Sequence, residues 1–380
     1  MSEDLILTPD EVAKRRARKK VEEVKKPVNE NKFYNKAGGI FIQYESKGRF
    51  DTKTELGFKD FTGADVNDII FSRKEDLLEN VITMLNKNMI QQEEMSDVGD
   101  MTMEEFLETI IAIKKQFNTH LHKHLWMCSC QSSRPQEDQQ ISETEINLNT
   151  INYQSIEEAD AEFRKAYKED IDNLSDSEWV SFVGTYYKGQ KDASVWTKDD
   201  EVNKIQIKEP IRIHDDAGNV YDFKLTRMKD VIHAQKLANK KYSSRITAVH
   251  NRKEHGVALA DLKEKKQKEV QQLEYERDKA IMLYGKAMSL VKMNGRELSD
   301  SEKIETYSNF PRSLLLDYMT FIDKIRFGVN DTVELSCPVC GKVSKESLRQ
   351  EFDIIQLLPF DADSSGKRGK LSRLNFSFGD

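Results

Sequence analysis

Long apolar runs are missing from this 380-residue chain. No stretch approaches the roughly 18 consecutive apolar residues of a membrane span. The first residues, Met1-Ser2-Glu3-Asp4, lack the basic-then-apolar order of a secretory leader, so a soluble, cytosolic protein is expected. Positive charge is in deficit too. With 59 lysines and arginines against 66 acidic residues the net charge is -7, whereas a nucleic-acid coat or a membrane-surface protein needs a cationic excess. Familiar catalytic signatures are also absent: there is no HExxH, no G-x-S-x-G and no G-x-G-x-x-G after a strand. Gly366-Lys367 matches the end of a phosphate-binding loop, but Arg368 stands where a serine or threonine would hold magnesium.

Cysteine is scarce, and its placement is informative. The four cysteines fall in two close pairs, Cys128 with Cys130 and Cys337 with Cys340. In a reducing compartment paired thiols point to metal rather than to a disulfide framework. The second pair lies in Cys337-Pro338-Val339-Cys340-Gly341, whose tight turn lets two thiolates bind one ion while backbone amides steady the charge. Cys-Ser-Cys has a shorter spacer and a different bite.

The two pairs also share a context: an apolar-faced helix, a phenylalanine, a strand, then the thiols. Phe117 precedes Cys128 much as Phe327 precedes Cys337. If the two units lie side by side, all four sulfurs can meet in one tetrahedral structural zinc site. Against this stands the plainer reading of exposed thiols and a metal-free turn. His120, His122 and His124 share strand parity with the first pair and are alternative ligands, or simply a solvated strand face. His250 and His255, five apart on an expected helix, do not share a face.

The chain divides into a charged N-terminal helix or tail (1–31), a helix-strand unit ending in Cys-x-Cys (32–131), a polar insertion or linker (132–200), a unit of hairpin, long helices and the CPVCG turn (201–363), and a tail (364–380). Asp10 to Lys26 holds eight basic and four acidic residues, a solvated charged helix with the alternative of a nucleic-acid contact. Short strands are expected around Ile40–Tyr44 and Glu55–Phe61. Leu77, Leu78, Val81, Ile82 and Leu85 form one helix face, and Phe106, Leu107, Ile110, Ile111 and Phe117 another, with Thr102 and Glu105 as a capping box. In the polar stretch a strand near Glu145–Ile151 and helices near 156–167 and 177–187 are expected. Ile211-Arg212-Ile213 and Val220 to Leu225 flank a turn and read as a hairpin. From Arg227 the chain reads as helical toward Met293, with Val270, Leu273, Ala280, Tyr284, Ala287 and Val291 as its apolar stripe. Ser299 with Glu302 caps a further helix, and Pro311 opens the next.

The run Phe310-Pro311-Arg312-Ser313-Leu314-Leu315-Leu316-Asp317-Tyr318, through Phe327-Gly328-Val329 and CPVCG to Gln356-Leu357-Leu358-Pro359-Phe360-Asp361, resembles the baseplate hub subunit and hub-assembly proteins of T-even-type contractile-tailed bacteriophages. So do Pro210–Ile213 with Leu225–Val231, and the segment from Phe58 to Cys130. The resemblance implies a late viral protein of the tail baseplate or of the host cytoplasm during assembly, working through contacts with other tail proteins. The expected fold is α+β, helix-rich with small antiparallel sheets, a zinc-knuckle element and two loosely repeated helix-strand-cysteine units. Cys128, Cys130, Cys337 and Cys340 are the expected ligands of a structural zinc. No catalytic residue, small-molecule substrate, membrane span or nucleic-acid partner is expected. Phe61, Phe117, Trp126 and Phe327 are candidate partner anchors if exposed, and core residues otherwise. The rival reading is a zinc-ribbon nucleic-acid-binding regulator.

Overall fold

The computed structural model describes residues 33–36, 38–50, 52–72, 76–90, 97–116, 121–132, 142–186, 197–204, 206–215, 217–252, 259–324, 327–330 and 332–347. The expected helix at Asp10–Lys26, the tail from 364, Phe117, His120 and His255 lie outside these residues.

In chain order the first strands are β1 (Phe33–Lys36), β2 (Gly39–Gln43) and β3 (Glu55–Lys59). Helices α1 (Gly63–Ile70) and α2 (Leu77–Asn88), strand β4 (Met89–Ile90) and helix α3 (Met103–Gln116) follow. The strands make one antiparallel sheet in the order β1-β2-β3-β4. Its β2–β3 register sets Ile40 opposite Phe58 and Ile42 opposite Leu56. These side chains are buried with Leu77, Leu78, Val81, Ile82 and Leu85 of α2 and with Phe106, Ile110 and Ile113 of α3. The apolar faces read from the sequence are the faces that pack. α3 starts where expected, because the Thr102 amide donates to Glu105 Oε2 at 2.9 Å and the Glu105 amide to Thr102 Oγ1 at 3.2 Å.

Strand β5 (Leu121–Trp126) leads into the short helix α4 (Ser129–Ser132), and β6 (Ser142–Asn147) returns to pair with β5. β7 (Tyr153–Gln154) is followed by helices α5 (Ile156–Asp172), α6 (Asp176–Tyr186) and α7 (Lys198–Lys204). The polar stretch after Ser132 therefore holds both a return strand and helices. Ile146, Leu148 and Ile151 join one core cluster, and Ile156 and Ala159 another.

The hairpin β8 (Ile211–His214) and β9 (Val220–Phe223) is closed by Asp215, which accepts from the amides of Gly218 and Asn219. Then come α8 (Met228–Asn251) and α9 (Leu259–Met288). They run antiparallel, joined by Arg252–Glu269, Arg245–Glu276 and Lys241–Tyr284 contacts. The helical reading toward Met293 is too long. α9 stops at Met288, and Val291 lies in β10 (Leu290–Met293), which continues through β11 (Arg296–Glu297). Ser289 makes the break: its carbonyl accepts from the Lys224 amide at 2.8 Å, and its hydroxyl meets the Lys286 carbonyl and the Tyr318 hydroxyl. Sheet pairing with β9 thus outweighs helix continuation, giving a second sheet in the order β11-β10-β9-β8.

Helices α10 (Asp300–Ser308) and α11 (Arg312–Lys324) complete the packing on this sheet. Phe223 stacks on Tyr318 with ring centres 4.4 Å apart, and Phe310 meets Tyr221 edge-on at 5.0 Å. The chain ends its described course in β12 (Gly328–Val329), β13 (Thr332–Ser336) and β14 (Val343–Ser347). β12 pairs with β7, and β13 with β14. The fold is α+β, rich in helix with small antiparallel sheets. Among the described residues no helix is long and apolar enough to cross a membrane. Trp126 and Phe327 are 0% and 1% exposed, so they are core residues and are unavailable as surface anchors; Phe61 packs partly buried against the first cluster.

Gly328 is a point where backbone geometry restricts the sequence. It sits at φ +81, and a Cβ built there would lie 2.8 Å from Glu108 Oε1. Glu108 is itself buried, with its other oxygen accepting from the Glu45 amide at 3.2 Å. A Gly328→Ala variant is expected to lose ~1–3 kcal/mol, the usual penalty of a left-handed non-glycine residue. Urea unfolding reads this as a lowered midpoint; an unchanged midpoint would contradict the strain argument.

Candidate metal centre

The two cysteine pairs sit at the heads of two separate hairpins. The first begins with Trp126, which ends β5 with its indole N–H donated to Thr144 Oγ1 at 3.0 Å. The chain then turns sharply, the Gln131 amide reaching back to the Cys128 carbonyl at 2.8 Å. That turn places Cys128 and Cys130 on the inner side of the hairpin, where both pack with Trp126, Ile146, Leu335 and Cys337. The second site is the tip between β13 and β14. Pro338 supplies a fixed φ after Cys337, and Gly341 takes φ +70, which a residue with a side chain rarely adopts. The Gly341 amide donates to the Cys337 carbonyl at 2.9 Å, and the Cys337 amide to the Lys342 carbonyl at 2.9 Å.

The four sulfurs converge. Cys128 Sγ is 3.7 Å from Cys340 Sγ, Cys130 Sγ is 3.8 Å from Cys337 Sγ, and all four lie within 4.8 Å of one another. A disulfide would need about 2.05 Å. Sulfurs each bound at about 2.3 Å to a central tetrahedral ion would stand about 3.8 Å apart. The short distances run between hairpins, with each pair giving one sulfur to each contact. Cys128 and Cys337 are buried at 1% and 2% exposure, Cys130 is half-buried and Cys340 faces solvent. Four soft thiolate donors at tetrahedral spacing are a set that zinc, or an iron of the same coordination, accepts. With all four positions supplied by protein, no place remains for water or substrate, which is the donor set of a structural site rather than a catalytic one.

Two of the sulfurs are shifted in opposite directions. The amide of Cys340, helped by that of Val339 and opposed by burial, pulls the Cys337 thiol down to about 7. Burial first, then the neighbouring sulfurs of Cys340, Cys128 and Cys337, pushes Cys130 up to about 12. Like charges this close oppose one another. A divalent ion reverses that balance and deprotonates its ligands.

The expected convergence is present, but its route differs from the expected one. The strands leading to the cysteines do not lie side by side: β5 pairs with β6 and β13 with β14. Each strand already has its antiparallel return, so the hairpins meet through side chains and helix α3, whose Leu107 and Ile111 pack against both. Among the described residues the sulfur group contains no histidine. His124 is buried instead, and that burial lowers its pKa and keeps the imidazole neutral. Two residues not marked by the sequence reading join the turns. Gln131, fully buried, donates from Nε2 to Cys130 Sγ at 3.7 Å, and Lys342 Nζ reaches Ser129 Oγ at 3.4 Å. Only their adjacency to the cysteines signals them, and adjacency alone does not say which way a side chain turns.

Comparison with family models, curated proteins and solved structures finds no match to this chain.

The geometry predicts which sulfurs oxidation joins. Treating the chelated, metal-free protein with a mild oxidant should yield disulfides between residues 128–130 and 337–340, read by peptide mapping under non-reducing conditions. Cross-links confined to Cys337 with Cys340 would contradict the convergence.

Proposed function

We propose that this chain is a non-catalytic structural protein whose two cysteine hairpins are clipped by one zinc ion on Cys128, Cys130, Cys337 and Cys340. We further propose that it works by protein–protein contact in building the baseplate hub of a contractile bacteriophage tail, in the virion or in the host cytoplasm during assembly. The observation that carries the first half is the sulfur cluster at tetrahedral spacing. The second half rests on the resemblance of Phe310–Tyr318, Phe327–Val329 and the CPVCG turn to hub proteins. No residue is assigned a catalytic role, because a closed four-thiolate set offers no open coordination position.

Physical reasons support a clip at this place. Two-stranded hairpins are marginally stable by themselves, and both β5–β6 and β13–β14 are two-stranded sheets. Cys128 and Cys340 are separated by 212 residues. Closing a long loop is entropically expensive, though each doubling of length adds only about 0.6 kcal/mol, so a long-range tie removes much freedom from the unfolded chain. Binding of structural zinc in small modules is worth about 10–16 kcal/mol at neutral pH, enough to hold such a tie.

Metal analysis of the purified full chain should find about one zinc per chain, since four thiolates complete one tetrahedral shell. Changing Cys128 and Cys130 to serine, or Cys337 and Cys340 to serine, should each remove the zinc and lower the unfolding temperature. Zinc retained after loss of the first pair removes the shared clip, and iron in place of zinc overturns the choice of metal. Zinc should also be released as pH falls, because protons compete with the ion for the thiolates; release that increases with pH would contradict thiolate ligation. For the assembly role, tail-tube, spike or wedge genes beside the coding gene are the expected context. Sequence-independent duplex binding that falls steeply with salt would favour the zinc-ribbon regulator instead.

A further inference from the structure

The antiparallel pair α8 and α9 is an arm whose charge opposes the rest of the chain. Residues 228–288 hold fourteen lysines and arginines against eight acidic residues, a net of +6. Because the whole chain sums to -7, everything outside the arm sums to -13. The arm's inner seam is apolar, with Tyr242, Ile246, Val249, Val270 and Leu273 packed on one another. A two-helix pair buries only one stripe of each helix, so its outer faces stay in solvent. Lys240, Lys263, Lys265 and Lys268 are exposed there. Tyr275 of α9 is 55% exposed, with Lys279 Nζ 4.6 Å from its ring centre.

The opposite character gathers on α5, α6 and α7. Residues 155–204 carry thirteen acidic residues against seven basic ones. Glu169, Asp170 and Asp172 crowd the last turn of α5, which holds no basic residue. Carboxylates at a helix C-terminus work against the helix dipole; Lys198 Nζ, 2.6 Å from the Leu174 carbonyl, and Lys168, paired with Asp199, answer them in part, and the segment keeps its acidic excess. In α6, Val180 is 69% exposed, and Trp179 is half-buried. An exposed valine in a segment of acidic excess thus answers an exposed tyrosine in a segment of basic excess.

We propose that the basic α8–α9 arm of one copy docks on the acidic α5–α7 face of a second copy of this chain. The two surfaces are different patches, so the contact is head-to-tail and extends into a ring or a filament rather than stopping at a symmetric pair. A nucleic-acid partner for the arm is disfavoured by the -13 carried by the rest of the chain, which repels phosphates approaching the arm. The inference does not depend on the metal site.

Sedimentation velocity of the zinc-replete full chain tests it. Self-association is expected at about 0.05 M salt and should fall away at about 0.5 M, where exposed charges are screened. The arm variant Lys263→Glu with Lys268→Glu should stay monomeric at low salt, as should the face variant Glu169→Lys with Asp172→Lys. The face variant places cations where the α5 dipole favours them, so its fold should survive. Mixed in equal amounts, the two variants should associate again, because each reversed surface then meets its opposite; a misfolded variant could not do this. A wild-type chain that is monomeric at low salt overturns the proposal. So does self-association that survives both variants, or a labelled DNA duplex whose binding is lost with the arm variant while self-association is unchanged.

Discussion

The meeting of four sulfurs from hairpins 207 and 212 residues apart in sequence is the constraint on which the account of this protein depends. Among the described residues neither hairpin has a sheet neighbour beyond its own return strand. What they share is an apolar cluster of Trp126, Ile146, Leu148, Ile151, Val329 and Leu335 with Leu107 and Ile111 of α3, and Cys128 and Cys337 are buried within it. That cluster is where the two distant segments meet, and each fully buried aliphatic side chain in it contributes about 1.5–3 kcal/mol. A zinc ion bound by the four thiolates, as proposed, would add directional bonds between the two hairpins. It would also suit the observed placement: two sulfurs inside, one half-buried and one at the surface, all within 4.8 Å of one another.

Helix α3 transmits that constraint to the rest of the fold. Residues 105–114 are all buried, an arrangement that places polar side chains in the interior and requires partners for them. Thr52 Oγ1 donates to Glu105 Oε2 at 2.7 Å, the Glu45 amide to Glu108, and Tyr44 and Thr109 hydroxyls meet at 2.8 Å. Phe106, Ile110 and Ile113 face the first sheet, whereas Leu107 and Ile111 face the cysteine hairpins. One helix therefore serves two cores, and its polar groups fix its rotation between them. Charged residues so placed stabilise only in their full set of bonds, because a buried polar group left without its partner loses more than the pair contributes.

Much of this was legible in the residues. The stripe of α2, the face of α3, the capping pairs Thr102 with Glu105 and Ser299 with Glu302, and the β8–β9 turn at Asp215 all act locally, through spacing that a sequence displays directly. The cysteine pairs were legible as a candidate metal-binding group, and their four sulfurs do lie together. What escaped depends on distant pairing. Ser289 breaks a helical pattern because β9 offers its carbonyl a partner, and the two-residue union of β7 with β12 has no periodic signal at all. Arg227, 1% exposed and paired with Glu209 at 2.8 Å, looks in sequence like any surface arginine. The side-by-side strand arrangement failed for the same reason: it assigned a neighbour to β5 and β13 without knowing that nearer strands already filled the place.

X-ray absorption at the zinc edge of the purified full-length protein tests the central claim most directly. The account predicts a single zinc environment of four sulfurs at about 2.3 Å and no nitrogen or oxygen ligand. A shell of two sulfurs completed by nitrogen or oxygen would show that the hairpins do not share one ion, and would contradict the clip.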